Sequence, residues 1–134
     1  MAVTPTPIFT QSPYLNNSQA TVANTNVDGA TGTYVTAATG GTNGTRIDRI
    51  TFNGISTTAA GQLRLYIYDG STTRLYKVLL TTAVTPSGTV APASVSIGGP
   101  GSQSLGLNLS SGSTIKFAPY NSETWNCCVE GGNY

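Results

Sequence analysis

Short runs of β-forming residues, separated by turn residues, fill the sequence from about Thr33 to its end. The clearest run, QLRLYIY at 62–68, alternates aliphatic residues with Arg64, Tyr66 and Tyr68. Successive side chains of a strand point to opposite faces of a sheet, so this alternation predicts a strand with an aliphatic core face and an exposed aromatic face. No segment shows the 3.6-residue apolar period of an ordinary helix. The chain is therefore predicted to be all-β.

Turn residues divide this region into about eight short strands. Asp69 and Gly70 lie between the clearest run and LYKVLLTT at 75–82, so these two runs are predicted to form an antiparallel hairpin. Asn43-Gly44 is a second hairpin signal. The remaining strands are predicted at 34–38, 46–55, 93–97, 104–109, 114–118 and 124–130. We predict an antiparallel, jelly-roll-like β-sandwich, with an immunoglobulin-like sandwich as the alternative.

The apolar residues of the predicted strand at 46–55 switch from one face of the strand to the other midway. In a regular strand Ile47, at an odd-numbered position, would face the side opposite to Ile50 and Phe52, at even-numbered positions. A bulge with one extra residue would bring all three side chains to the same face. The alternative is that the register of this run is assigned wrongly.

The first 32 residues differ from the rest in containing several prolines and no sustained apolar period. We predict an extended N-terminal arm over 1–32 that precedes a β-sandwich domain over 33–134. Isolated apolar residues would anchor the arm on its own domain or on a neighbouring subunit. These predicted anchors are Ile8, Phe9, Tyr14 and Leu15. A flexible terminus is the alternative.

Charged side chains are scarce in this chain. They make up 8% of its 134 residues, against about 25% in typical soluble domains, and the net charge is +1. Because no basic stripe is present, we expect no direct binding to nucleic acid. No stretch approaches the ~18 apolar residues of a transmembrane helix, and the start MAVTPTPIFT lacks the pattern of a signal peptide. We expect no membrane association, and synthesis in a cytoplasm.

The residues that usually carry catalysis are missing or unpaired in the sequence. Histidine is absent, which removes Ser-His-Asp and Cys-His chemistry and the commonest metal ligand. The five carboxylates show no spacing that would pair two of them in a cleft. Asp69 is expected in a turn, and Asp48 in a surface ion pair with Arg46 or Arg49. We predict no enzymatic activity, no catalytic residue, no cofactor and no metal site.

The two cysteines, Cys127 and Cys128, are adjacent. Neighbouring side chains of a strand point apart, so a disulfide between them has poor geometry. We predict two free thiols, one of them buried.

The face formed by Arg64, Tyr66 and Tyr68 is a candidate contact surface, because Tyr and Arg are enriched in protein interfaces. Ordinary packing between strands is the alternative. A second candidate surface would bind sugars by stacking them on aromatic rings. Its residues are Tyr120, Trp125 and Tyr134.

Two segments resemble sequences that recur in small structural proteins of tailed bacteriophages. GQLRLYIYDGSTTRLYKVLLT, from Gly61 to Thr81, is similar in its strand, Asp-Gly turn and second strand. STIKFAPYNSETWNCCVEGG, from Ser113 to Gly132, resembles the closing pair of strands with its Asn-x-Glu-Thr loop. Together the two segments cover less than half of the chain. Members of such families are capsid decoration or cement proteins, or small components of tails and fibres.

The resemblance implies a non-enzymatic structural protein of the virion with an all-β fold. We expect a capsid decoration or cement protein, made in the host cytoplasm and placed on the capsid exterior. Its expected partners are the major capsid protein and further copies of itself, in a homotrimer. The alternative is an adhesin module of a tail or head fibre that binds host surface glycan or protein.

Overall fold

The computed structural model describes residues 9–98 and 105–134, in which it has nine strands and no helix. Residue Ile8, one of the predicted anchors, lies outside the described residues. The strands are β1 (Ser12–Ala20), β2 (Val35–Thr39), β3 (Thr45–Gly54), β4 (Gly61–Tyr68), β5 (Thr73–Thr81), β6 (Ala93–Gly98), β7 (Leu107–Leu109), β8 (Thr114–Pro119) and β9 (Trp125–Asn133).

The strands form two antiparallel sheets. The first sheet has the order β1-β9-β3-β6, and β7 pairs with the beginning of β3, beyond the end of β6. The second sheet has the order β2-β8-β4-β5. The predicted all-β class is confirmed, and the two sheets are consistent with a β-sandwich.

The hydrophobic core lies between the two sheets. Phe52 of β3 packs against Phe117 of β8, with ring centroids 5.2 Å apart. Full burial of each large apolar side chain contributes about 1.5–3 kcal/mol. The largest buried apolar side chains come from four strands, β3, β4, β8 and β9, and are Ile47, Ile50, Phe52, Leu63, Leu65, Ile115, Phe117, Trp125 and Val129.

The switch of the apolar residues from one face of β3 to the other is caused by a β-bulge. The register of β3 against β9 shifts between Ile47 and Arg49, which leaves Asp48 as the extra residue. As a result Ile47, Ile50 and Phe52 are all fully buried in the core, and the predicted bulge is confirmed. The Asp48 carboxylate accepts a hydrogen bond from Arg46 Nε at 2.8 Å, which confirms the expected ion pair.

The predicted hairpin is also confirmed, as β4 and β5. The turn between them is organised by Asp69, whose carboxylate accepts hydrogen bonds from the backbone N–H groups of Ser71 and Thr72 at 2.9 Å each. These bonds favour the ionised form and lower the pKa of Asp69 to about 2. Gly70 adopts a φ of 104°, which is favourable only for glycine.

The second turn signal, Asn43-Gly44, was predicted to join a hairpin, and that prediction is wrong. The turn lies between β2 and β3, which belong to different sheets. The N–H of Gly44 bonds to the carbonyl of Gly41 at 2.9 Å, and Gly44 has a φ of 98°. The Asn-Gly sequence therefore forms a tight turn, as it would in a hairpin, but this turn connects a strand of one sheet to a strand of the other.

The structure does not confirm a separate arm over 1–32. Ser12–Ala20 is strand β1, and it pairs residue by residue with β9, from Ser12 opposite Asn133 to Ala20 opposite Trp125. The polar residues of this strand satisfy their backbone groups in the sheet, which explains why a segment without an apolar period is nevertheless a strand.

The connection from β1 to β2 crosses the outer face of the second sheet. Asn24 is buried and holds this connection together. Its amide donates to the carbonyls of Thr31 and Thr33 and accepts from the N–H of Asn26. The N–H of Asn24 also bonds to the carbonyl of Pro119 at 2.8 Å, which fixes the connection to the end of β8.

Candidate functional site

The predicted contact face on β4 is mostly covered by the chain itself. Arg64 and Tyr66 are buried, so the prediction that they are exposed is wrong. The Tyr66 hydroxyl donates to the carbonyl of Asn26 at 3.1 Å, and Arg64 donates to the carbonyl of Thr25 at 3.2 Å. The β1–β2 connection therefore covers this part of the face. Burial of the phenol raises the pKa of Tyr66.

The part of this face that reaches solvent is small. Tyr68 is half-buried, and the ammonium of Lys116 lies 5.0 Å from the centre of its ring. The guanidinium of Arg64 lies 5.2 Å from the ring of Tyr120, beside a depression of about 370 Å³. These cation–π contacts position the rings against the protein.

Of the three predicted arm anchors that the structure describes, one packs against the core and two are exposed to solvent. Tyr14 packs against the core, and its hydroxyl accepts a hydrogen bond from the N–H of Thr39 at 3.1 Å. Phe9 and Leu15 are 73% and 66% exposed. Phe9 and Leu15 are thus available to a partner.

The predicted aromatic cluster is not a sugar-stacking surface, because Trp125 is fully buried. The indole Nε1 donates to one carboxylate oxygen of Glu123 at 2.8 Å. The other oxygen accepts from the N–H of Ala59 at 2.5 Å. Glu123 thus joins the β8–β9 loop, the β3–β4 loop and the core, an arrangement for which the sequence held no signal.

The cysteines are free, as predicted. Cys127 points into the core and Cys128 points to the outer face of the first sheet, where it is half-buried. Burial raises the pKa of Cys127 to about 12, and burial also raises the pKa of Cys128.

The outer face of the first sheet carries a row of uncharged polar side chains across four adjacent strands. Gln19, Asn126, Asn53 and Ser94 are successive partners in register. Gln19 Nε2 donates to Asn126 Oδ1 at 2.8 Å. The row lies beside an open depression of about 510 Å³ that is also lined by Asn17 and Cys128. Such amides can donate and accept hydrogen bonds simultaneously.

The largest exposed apolar surface on one strand belongs to β5. Its side chains Leu75, Tyr76 and Val78 are each about two-fifths exposed, and Leu80 is 75% exposed. Strand β5 is at the end of the second sheet, so one side of its backbone is unpaired within the described residues. The sequence predicted the strand but not its place at the sheet edge.

Residues 9–98 and 105–134 contain no group of three or more His, Cys, Asp or Glu side chains that could hold a metal ion. The same residues contain no helix long and apolar enough to cross a membrane. No protein-family model matches the chain, and no curated protein matches it significantly.

Proposed function

We propose that this chain is a jelly-roll domain without enzymatic activity that acts through contacts between protein surfaces. Both β6 and β7 lie beside β3, so they can be counted as one interrupted strand. The eight positions then follow the order 1-8-3-6 in one sheet and 2-7-4-5 in the other. This order supports a jelly-roll, and viral capsid and lectin domains are among the proteins that use that fold.

The particular function that we propose is decoration or cementing of a bacteriophage capsid from its outer surface. The partners would be the major capsid protein and further copies of this chain, in a homotrimer on the virion. The strand order carries the proposal. The two phage-like segments add support because they coincide with complete structural units, namely the β4–β5 hairpin and the strands β8 and β9.

The scarcity of charge also supports a contact role. With only 8% charged residues, little electrostatic repulsion opposes close packing of many copies on a shell. Four of the five acidic side chains have structural partners, since Asp28 and Asp69 organise turns, Asp48 binds Arg46 and Glu123 binds Trp125.

Electron cryomicroscopy of virions of the phage that encodes this chain tests the proposal. We expect many copies on the head, arranged on the symmetry of its lattice. Capsids that lack the protein should bind it when it is added back and should then resist heating better. A few copies confined to the tail, or no copies in the virion, would overturn the cement function.

A second candidate function is an adhesin that binds an uncharged host glycan. The observation that favours it is the polar row of Gln19, Asn126, Asn53 and Ser94, whose amides and hydroxyls match sugar hydroxyls as hydrogen-bond partners. Binding to a glycan array that is lost in Asn53→Ala, and retained in the control Asn108→Ala on β7, would support this function. Silence of the intact protein on the array would reject it.

A further inference from the structure

We propose that β5 of one copy joins β1 of a second copy edge to edge, so that copies associate head to tail. An exposed apolar strand with an unpaired edge is a template for pairing with another chain. Strand β5 fits this description, with Leu75, Val78 and Leu80 exposed along nine residues. The inference rests on the self-association included in the proposed function, and it names the two surfaces involved.

Self-pairing of two β5 strands is unfavourable because of their charges. Strand β5 carries Arg74 and Lys77 and no carboxylate. An antiparallel pair centred on Lys77 would place the two ammonium groups opposite each other, and like charges directly opposite destabilise a sheet. The partner edge must therefore be neutral or acidic.

Strand β1 meets this requirement. It has nine residues, as β5 has, and none of them is charged. Its exposed apolar side chain Leu15 pairs in register with the exposed Glu130 of β9. Beyond Glu130 in register lies Arg49 of β3, so the charge nearest to this edge is acidic, and β1 itself has no charge that would repel β5.

The other edge on this flank is already covered. Asn16 Nδ2 donates to the carbonyl of Ala37 at 2.6 Å, and Tyr14 accepts from the N–H of Thr39. Side chains of β1 therefore occupy backbone groups of β2, and the edge of β1 remains as the available one on this flank within the described residues.

The positions of the two edges determine the type of association. Strand β1 lies over β2, at the opposite end of the second sheet from β5. A contact between opposite flanks is heterologous, and heterologous contacts form closed rings when the rotation between copies allows it. The proposed homotrimer would be such a ring.

Charge substitutions on each edge, Leu80→Lys and Leu15→Lys, test the inference in analytical ultracentrifugation of the full chain. Both side chains are largely exposed, so folding should persist, as circular dichroism will check. We expect the intact protein to sediment as a closed oligomer. We expect each variant to be a monomer, with self-association roughly tenfold weaker or more. The control Val90→Lys, at a 46% exposed apolar residue between β5 and β6, should leave the oligomer unchanged.

An equimolar mixture of the two variants distinguishes head-to-tail association from a symmetric one. The Leu15→Lys chain keeps an intact β5 edge and the Leu80→Lys chain keeps an intact β1 edge, so the mixture should form a dimer of one chain of each kind. An intact protein that remains monomeric, or a Leu15→Lys variant that remains oligomeric, would overturn the inference. Capsid binding is assayed separately, so an oligomer that forms as expected but binds no capsid would reject the cement function alone.

Discussion

Replacement of Glu123 by alanine should be among the most destabilising changes of a polar residue in this chain. The Glu123 carboxylate is buried and accepts hydrogen bonds from Trp125 Nε1 and from the N–H of Ala59. Both donors would lose their partner together. The bond to Trp125 lies in the core, where water cannot replace the carboxylate, whereas Ala59 is exposed and its N–H can bond to solvent.

The two donors therefore contribute unequally to the expected loss. A buried donor without a partner costs about 1–3 kcal/mol, and a hydrogen bond to a charged group contributes about 1.5–3 kcal/mol. Counting the Trp125 donor in full and the Ala59 donor in part, we expect Glu123→Ala to lower the free energy of unfolding by roughly 2–4 kcal/mol. At an unfolding entropy of about 2.1 cal/mol/K per residue, this corresponds to a fall in Tm of roughly 7–14 °C.

The assay is urea unfolding followed by the fluorescence of Trp125, the only tryptophan of the chain. The matched control is Glu130→Ala, which removes an exposed carboxylate and should change stability by less than about 0.5 kcal/mol. In a Trp125→Phe background, followed by circular dichroism, the cost of Glu123→Ala should shrink by roughly 1–2 kcal/mol because the indole donor is gone. Equal costs in the two backgrounds, or a cost below 0.5 kcal/mol in the intact protein, would refute the reasoning.

Two further predictions follow from burial. At neutral pH a thiol reagent should label Cys128 slowly and leave Cys127 unmodified, because burial raises the pKa of Cys127 to about 12; labelling of native Cys128→Ser would contradict this. Gly131→Ala should destabilise the fold by about 1–3 kcal/mol in thermal unfolding, because its new Cβ would collide with the backbone of β3. Gly88→Ala, whose Cβ would meet no atom within 4 Å, is the control, and equal melting of the two variants would contradict the expected collision.

The parts of the fold that could be predicted from sequence are the strands whose apolar residues alternate and are buried in the core. Leu63 and Leu65 alternate with other residues because they lie on the inner side of the second sheet and face the core. The turn at Asp69 determines that β5 is the next strand to pair with β4. Even the bulge at Asp48 was visible, since an extra residue must shift the parity of every later apolar side chain.

The burial of Arg64 and Tyr66 could not be predicted, because alternation shows that a strand has two faces but not what covers the second one. The covering connection has no period. It is fixed to the second sheet by the bond from the N–H of Asn24 to the carbonyl of Pro119 and by the bond from Tyr66 to the carbonyl of Asn26, which join residues far apart in sequence. Strand β1 was missed for a related reason. Its inward-facing Asn16 and Ser18 are polar, so no apolar alternation marks it.

The place of β1 in the sheet changes how its role in assembly can be tested. Deleting residues 2–25 would remove a partner of β9 along its whole length and the side chains that cover β2. The loss of assembly in such a variant would follow from unfolding as readily as from a missing contact. Leu15→Lys avoids this difficulty, because Leu15 is exposed and its backbone remains paired in the sheet. A folded but monomeric Leu15→Lys protein would therefore assign the effect to the contact itself.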